Sequence, residues 1–257
     1  MRFSIIFLLF FNISLFTMHK PELVDGFVLV DARIDYAKTL KMAIETHHIQ
    51  TLTEVCKKMH PDLQKKLPEI DFTPLEFTVK ECFKFGVDLL LSYGVLVTPY
   101  AIQLSLLKRH KPILQSLVIR APLEQLADIC VESGLSHIEF AVKQNYPDGI
   151  EFLLKHKVAI SERALQLSLK TDNSIVVRLL LSHGAQVTLK VLEIAVMGQH
   201  TFCLGDLLIN GGNLLVTQAL IASAQDLCQD SDFHVRRRAQ FIVELLKSAK
   251  IQEQKSR

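Results

Sequence analysis

The chain has 257 residues, of which 49% are hydrophobic and 22% are charged, and its formal net charge is +2. This composition suits one elongated folded core, and the absence of long Gly/Ser/Pro tracts argues against extended linkers and disorder. A net charge so close to zero also argues against a large basic surface for nucleic acid.

The amino end carries a run of mostly apolar residues from Phe3 to Phe16. The run is long enough for the core of a signal peptide but shorter than the roughly 20 residues of a membrane-spanning helix. No small-x-small cleavage site follows it, and Met18 offers a second start. Three interpretations stay open for residues 1–18: a start placed too far upstream, a poor signal peptide, or a membrane tether. The expected organisation continues with a leader (19–35), a repeat domain (36–250) and a C-terminal tail (251–257).

Four segments of the chain share one pattern that begins with a hydroxyl residue. In the first of them, Thr98 is followed three, four and seven positions later by Ala101, Ile102 and Ser105. These offsets lie on one face of a helix, and the hydroxyl is placed to cap the first free N–H groups. Each copy is therefore predicted to open a short amphipathic helix. The four capping residues are Thr98, Ser161, Thr188 and Thr217.

A second helix is predicted after a short turn in each copy. Gly94, Gly184 and the pair Gly211-Gly212 stand where a left-handed C-terminal cap would end it. The second helices align at unequal steps, and a fainter copy precedes them. Because neither helix of a pair could bury its apolar face alone, stacked neighbours must supply the core. The aligned leucines are Leu90, Leu117, Leu153, Leu180, Leu208 and Leu245.

The longer steps between copies hold additional residues. The segment from Pro122 to Gly134 is predicted to be an added helix, and the segment from Asp226 to Val235 a longer turn. Insertions in a stacked-repeat protein lie on one rim, where they fill a gap or contribute to a binding surface. We expect these two segments to fill gaps.

Two segments resemble the ankyrin-repeat family. Thr73-Pro74-Leu75-Glu76 is similar to the TPLH tetrapeptide that opens the family's first helix, with Glu in place of His, and Val176–Val187 resembles its second helix and glycine turn. The resemblance covers roughly residues 36–247. Several steps are shorter than the family's repeat of about 33 residues, and Lys157 and Ala121 replace expected glycines. The resemblance implies an all-α solenoid of stacked helix-turn-helix repeats, some with a trimmed hairpin.

The chain contains no motif that indicates catalysis or metal binding. It lacks a phosphate-binding glycine loop, a G-x-S-x-G elbow and an HExxH pair. The acidic turn at Asp226, Asp230 and Asp232 lacks the layout of a calcium loop. His110 and His200 recur at the turn between helices, as a structural residue would. The five cysteines show no metal-ligand spacing and favour a reducing compartment. We expect a non-enzymatic, cytoplasmic chain without cofactor or metal.

A row of polar residues is a candidate partner-binding surface. Gln103, Gln166 and Glu193 each lie five positions after a capping hydroxyl, off the predicted apolar face. In ankyrin-like proteins the first helices line the partner-binding side, so the resemblance places this row on or near it. The sequence therefore suggests a non-catalytic scaffold for protein–protein interaction, expected to be a monomer and not to bind nucleic acid.

The carboxyl end supplies a second candidate surface. Arg236, Arg237 and Arg238 stand at the head of an apolar helix, where they either contact an anionic partner or keep the terminal repeat soluble. The alternative function is a membrane-tethered or exported adaptor that uses residues 1–18 and these arginines. An enzyme built on a helical solenoid is a third class, which the missing motifs disfavour.

Overall fold

The computed structural model describes residues 35–59, 62–67, 71–122, 125–126, 129–171 and 173–256. These ranges contain fourteen α-helices in seven consecutive pairs, which confirms the all-α repeat fold. The pairs are α1 (Tyr36–Glu45) with α2 (Ile49–Met59), α3 (Pro74–Lys80) with α4 (Lys84–Ser92), α5 (Pro99–Leu107) with α6 (Lys111–Arg120), α7 (His137–Lys143) with α8 (Pro147–Lys155), α9 (Glu162–Lys170) with α10 (Ser174–Ser182), α11 (Leu189–Met197) with α12 (Thr201–Ile209), and α13 (Gln218–Leu227) with α14 (Phe233–Ser256). The expected segment 1–18, and all of the expected leader 19–35 except Asp35, lie outside the described residues; α14 continues past residue 250 to Ser256.

The helix pairs stack in chain order to form two layers. Each first helix packs on the first helix of the next pair, each second helix packs on the next second helix, and one apolar core runs between the layers. A 3-10 turn (Gly212–Leu215) packs against α12 and α14. The strands β1 (Ile129–Cys130) and β2 (Leu135–Ser136) form an antiparallel hairpin. We refer below to the first-helix layer and the second-helix layer.

The predicted hydroxyl caps are confirmed at the start of four first helices. The side-chain oxygen of Thr98 accepts a hydrogen bond from the N–H of Ala101 at 3.1 Å, and Ser161, Thr188 and Thr217 make the same contact. Each bond satisfies one of the N–H groups that the first turn of a helix leaves without a partner. The sequence pattern therefore locates these helix starts to the residue.

Left-handed turns are predicted after the second helices, and of the five positions compared only Ala121 lacks one. Gly94, Gly184 and Gly211 have φ values of +77°, +89° and +100°, in the left-handed region. Lys157 takes the same conformation with φ of +60° although it has a side chain, which costs roughly 1 kcal/mol relative to glycine. Ala121 is extended, with φ of −72°, so α6 ends without a left-handed turn.

The repeat alignment needs a one-residue correction in α12. Leu180 is the seventh residue of α10 and has no exposed surface; the seventh residue of α12 is Leu207, which is equally buried. Leu207 is therefore the equivalent of Leu180, and alignment on Leu208 is wrong by one position. In α14 the fully buried leucine is Leu246, and Leu245 is half-buried. Adjacent leucines in both helices made the register ambiguous.

The caps of the first helices in the first five pairs recur with a period that spans two helix pairs. The interval from Asp35 to Thr98 is repeated from Thr98 to Ser161, and the interval from Thr73 to Ser136 has the same length. Within each interval a long step alternates with a short one, and the long steps end at Thr73 and Ser136. The first helices that begin there, α3 and α7, have only seven residues and are buried on nearly every side. The repeating unit of this region is therefore a module of two helix pairs, and we call its spacing the two-pair period.

The residues added in the long steps pack against the first-helix layer. Before α3, Leu63 and Leu67 enter the core, and the Phe72 ring stacks on Tyr100 of α5. Before α7, the hairpin contacts α5 and α7. The prediction of an added helix from Pro122 to Gly134 is therefore wrong in its second half, where the chain forms β1 and the hairpin turn. Both segments cover short helices that would otherwise be exposed.

Buried glutamates join the caps of consecutive repeats. Glu76 accepts the backbone N–H of its own cap, Thr73, at 2.9 Å and the hydroxyl of the next cap, Thr98, at 2.7 Å. Glu139, its equivalent in α7, does the same with Ser136 and Ser161, at 3.2 and 2.6 Å. Glu76 stands at the position where the ankyrin tetrapeptide has His. With one oxygen bonded to each of two caps, this glutamate couples neighbouring repeats.

Leu180→Ala is expected to lower the free energy of unfolding by about 2 to 5 kcal/mol, because it empties a fully buried position. Urea or thermal unfolding followed by circular dichroism measures the loss. Ile119→Ala is the control, since the Ile119 side chain is 68% exposed and its truncation creates no cavity. An unchanged midpoint for Leu180→Ala would show that α10 is not packed between its neighbours.

Thr98→Val and Thr217→Val separate the cap from the coupling between repeats. Thr217 caps α13, whereas Thr98 caps α5 and also donates to Glu76. We expect Thr217→Val to cost about 1 kcal/mol of unfolding free energy. Thr98→Val should cost roughly 1 to 3 kcal/mol more, because buried Glu76 loses a donor. Equal losses in urea titrations of the two variants would contradict a coupling role for Glu76.

Candidate partner-binding surface

The first member of the predicted polar row is buried. Gln103 is 1% exposed, and its Nε2 donates a hydrogen bond to the carbonyl oxygen of Leu135 at 2.9 Å. The hairpin lies over α5 at this point, which the helical period of α5 alone could not reveal. The expectation that Gln103 belongs to an exposed row is therefore wrong. Its amide instead anchors the hairpin to the first-helix layer.

The hairpin closes the middle of the first-helix layer. Cys130 is fully buried on β1, whereas Val131 at the turn is 92% exposed. Burial raises the pKa of the Cys130 thiol, and a hydrogen bond from this thiol to Glu132 raises it further. The thiol therefore stays protonated at neutral pH and behaves as a small apolar group. A partner that approaches α5 would meet the hairpin before it met the helix.

The first-helix layer is uncovered at α9, α11 and α13. The second, fifth and ninth residues of these helices lie on one helical face, and eight of the nine are exposed while Gln166 is half-buried. We call this set the first-helix patch. Its members are Arg163, Gln166 and Lys170 on α9, Lys190, Glu193 and Met197 on α11, and Ala219, Ala222 and Asp226 on α13.

Charge within the first-helix patch changes along the stack. Helix α9 contributes Arg163 and Lys170, α11 contributes one charge of each sign, and α13 contributes Asp226 beside two alanines. Gln166 donates to Glu162 at 3.0 Å, and Glu162 also accepts the hydroxyl of Thr188 at 2.8 Å, so this part of the surface is held in place. The patch is basic at one end and flat and weakly acidic at the other.

Sequence reasoning found two of the nine patch residues, Gln166 and Glu193. Ala222 occupies the fifth position after Thr217, the same position in the fourth copy, but an alanine carried no polar signal. Met197 is 59% exposed although its residue type suggests a core position. Applying the fifth-position spacing to the cap Thr217 as well, and including the second and ninth residues of each first helix, would have recovered the remaining members.

The three arginines have different environments on α14. Arg236 donates to the carbonyl oxygens of Asp230 and Ser231 at 2.7 and 2.9 Å and thereby fixes the turn before the helix. Backbone N–H groups of the first turn lower the pKa of Asp232, the residue that precedes α14. Arg237 and Arg238 are exposed. All three lie in the second-helix layer, whereas Gln166 and Glu193 lie on first helices.

The two histidines predicted at the helix–helix turns differ in their contacts. The Nδ1 atom of His110 accepts the N–H of Ile113 at 3.3 Å, and Asn173 caps α10 in the equivalent place. His200, at the start of α12, makes no such cap bond. Within the described ranges, no group of three or more His, Cys, Asp or Glu residues is arranged to hold a metal ion.

The cysteines and the long helix show no further site. All five cysteines are free thiols, and burial raises the pKa of Cys56 to about 12. In the described part of the chain, no helix has both the length and the apolar character needed to cross a bilayer. The apolar run of residues 3–16 lies outside that part.

Gln103→Arg is expected to lower the free energy of unfolding by about 2 to 4 kcal/mol, because it forces a charge into a buried site and releases the hairpin. Gln166→Arg places the same side chain at the equivalent half-exposed position of α9 and should change stability by within about 0.5 kcal/mol. Denaturant unfolding of both variants provides the comparison. Equal stabilities would mean that the hairpin does not cover Gln103.

Comparison with known proteins supports the fold and leaves the family open. No family model and no curated protein matches the chain. A similar solved structure is the ankyrin repeat domain of Bcl-3, described as a unique member of the IkappaB protein family. It is 19% identical, covers 67% of this chain and 86% of that domain, and superposes with a TM-score of 0.56. The fold of this chain is thus an all-α solenoid similar to an ankyrin repeat domain.

Proposed function

We propose that this chain is a non-catalytic scaffold that binds a protein partner through the first-helix patch. The observation that carries the proposal is the contrast within the first-helix layer. The hairpin buries the fifth residue of α5, Gln103, whereas the fifth residues of α9, α11 and α13 remain accessible on three adjacent helices. These three helices are consecutive in the first-helix layer, so their accessible fifth residues lie on one stretch of the stack.

The architecture suits recognition because the patch residues stand on packed helices. Leu165, Leu192 and Ile221 anchor these helices in the core with at most 5% exposure. A surface held by such packing loses little conformational entropy when a partner binds. A partner that offers acidic groups opposite α9 and basic groups opposite Asp226 would match the charge of the patch. The flat alanines of α13 would admit close approach of its backbone.

The second candidate, a membrane-tethered or exported adaptor, depends on residues 1–18 and on the arginine cluster. Of that cluster, Arg237 and Arg238 have exposed side chains that could contact an anion. Arg236 is committed to the turn before α14. Within the described residues, no observation favours this candidate over the scaffold, and it enters the experiment as an alternative outcome.

The test compares two triple variants with equal added charge. Gln166→Arg, Glu193→Arg and Ala222→Arg together raise the net charge of the first-helix patch by four units, because Glu193→Arg also removes a negative charge. The control variant raises the net charge by the same four units at exposed positions of the second helices α2, α4 and α8. Its substitutions are Gln50→Arg, Ser92→Arg and Asp148→Arg. Both variants should keep the helicity of the unmodified chain, since exposed substitutions cost within about 0.5 kcal/mol each.

A partner recovered from the native cell is then purified, and its affinity for each variant is measured by calorimetry. We expect the patch variant to bind at least about tenfold more weakly, because clustered like charges oppose complementarity, and the control to bind within about twofold. Unchanged binding by the patch variant would refute the proposal. If only the double variant Arg237→Ala, Arg238→Ala lost binding, the partner-binding surface would instead lie on α14.

A further inference from the structure

Four large apolar side chains are exposed on the last three second helices. Ile175 on α10 is 64% exposed, Phe202 and Ile209 on α12 are 80% and 84% exposed, and Phe241 on α14 is 51% exposed. We call these four residues the second-helix apolar patch. Apolar clusters of this size on a folded chain mark contact surfaces.

The register of the three helices places these side chains side by side. Arg178 of α10 forms an ion pair with Asp206 of α12, with Nε and Oδ2 2.8 Å apart. Ile175 precedes Arg178 by three residues and Phe202 precedes Asp206 by four, so both lie one turn before this pair. In α14, buried Ile242, Val243 and Leu246 repeat the pattern of Cys203, Leu204 and Leu207 in α12, and Phe241 therefore corresponds to Phe202.

Gly205 forms a flat centre in this patch. It lies three residues after Phe202 and four before Ile209, on the same face of α12. A Cβ atom added at Gly205 would meet no other atom within 4 Å, so the surface above it is open. The positions that correspond to Gly205 on the flanking helices are Arg178 on α10 and Glu244 on α14, which carry opposite charges.

We propose that a second copy of this chain docks face to face on the second-helix apolar patch, with a two-fold axis that runs parallel to α12 and passes over Gly205. A half-turn about this axis leaves the two α12 helices parallel and in contact, so that Phe202 and Gly205 each meet their own copies. The same half-turn exchanges the flanks, because α10 of each copy then faces α14 of the other. Arg178 of each copy therefore meets Glu244 of the other.

Self-complementarity is the reason for choosing a second copy as the occupant. Opposite charges, Arg178 and Glu244, stand at equivalent positions on the two sides of α12. The half-turn therefore forms two Arg178–Glu244 pairs, one on each side of the axis. The apolar residues match as well, since Ile175 and Phe241 also occupy equivalent positions on the two flanks and would pack together.

The size of the patch is consistent with a contact between two copies. Its four side chains expose on the order of 500 Å² of apolar surface. With the rim around them, this approaches the roughly 800 Å² per partner of a standard interface. The proposal departs from the expected monomer and leaves the first-helix patch free.

The first experiment measures the mass of the full chain by sedimentation velocity over a range of concentrations. We expect a reversible dimer, and we expect Gly205→Arg to shift it to monomer, because two arginines would meet at the axis. Gly205→Arg should keep the circular dichroism spectrum of the unmodified chain, since space above Gly205 is open. Ser92→Arg, an exposed position on α4, is the control and should remain dimeric.

The second experiment tests the two-fold arrangement with opposite charge reversals. Glu244→Arg and Arg178→Glu should each weaken self-association at least tenfold, because each variant opposes like charges across the interface. When the two variants are mixed, both charge pairs form again, and a heterodimer of unmodified affinity is expected. A monomeric unmodified chain, a dimer insensitive to Gly205→Arg, or a mixture that fails to pair would each overturn the proposal.

Discussion

The apolar core of this protein is shared by all seven described helix pairs, and it runs between the two helix layers. The described helices before α14 range from 7 residues in α3 to 11 residues in α2, too short to be stable in water on their own. Each becomes stable by burying an apolar face against the pairs on either side, and the caps are therefore shared as well. Glu76 satisfies the backbone of one cap and the hydroxyl of the next. Local helix formation and stacking are thus parts of one process.

The same requirement decides which part of the first-helix layer remains accessible. The short helices α3 and α7 need cover, and the segments that provide it lie against the first-helix layer. Where the cover lies, as at Gln103, side chains serve the fold. Beyond it, on α9, α11 and α13, the equivalent side chains are accessible, and the proposed scaffold function uses them. The proposed contact between two copies uses the opposite layer, so that both surfaces could be occupied together.

The sequence predicts those features that depend on short-range periodicity. Thr98 and the other capping hydroxyls, the left-handed glycine turns and the stacked all-α architecture all follow from spacings within one repeat. The burial of Gln103 could not be predicted, because it depends on the hairpin residue Leu135, which lies 32 residues further along the chain. The hairpin itself has two-residue strands, which leave no alternating pattern. The error at Leu208 arose because adjacent leucines fit either register.

The two-pair period bears on how such a stack could have grown. Of the two short helices, each covering segment protects only the one beside it. The short intervals that end at the caps Thr98 and Ser161 contain no covering segment. A duplication that copied α3 and α4 without the preceding residues would expose a helix that is buried on nearly every side, including Glu76. Duplication in blocks of two helix pairs keeps each short helix with its cover. The ancestral unit of this region would then be a double repeat, inherited as a block.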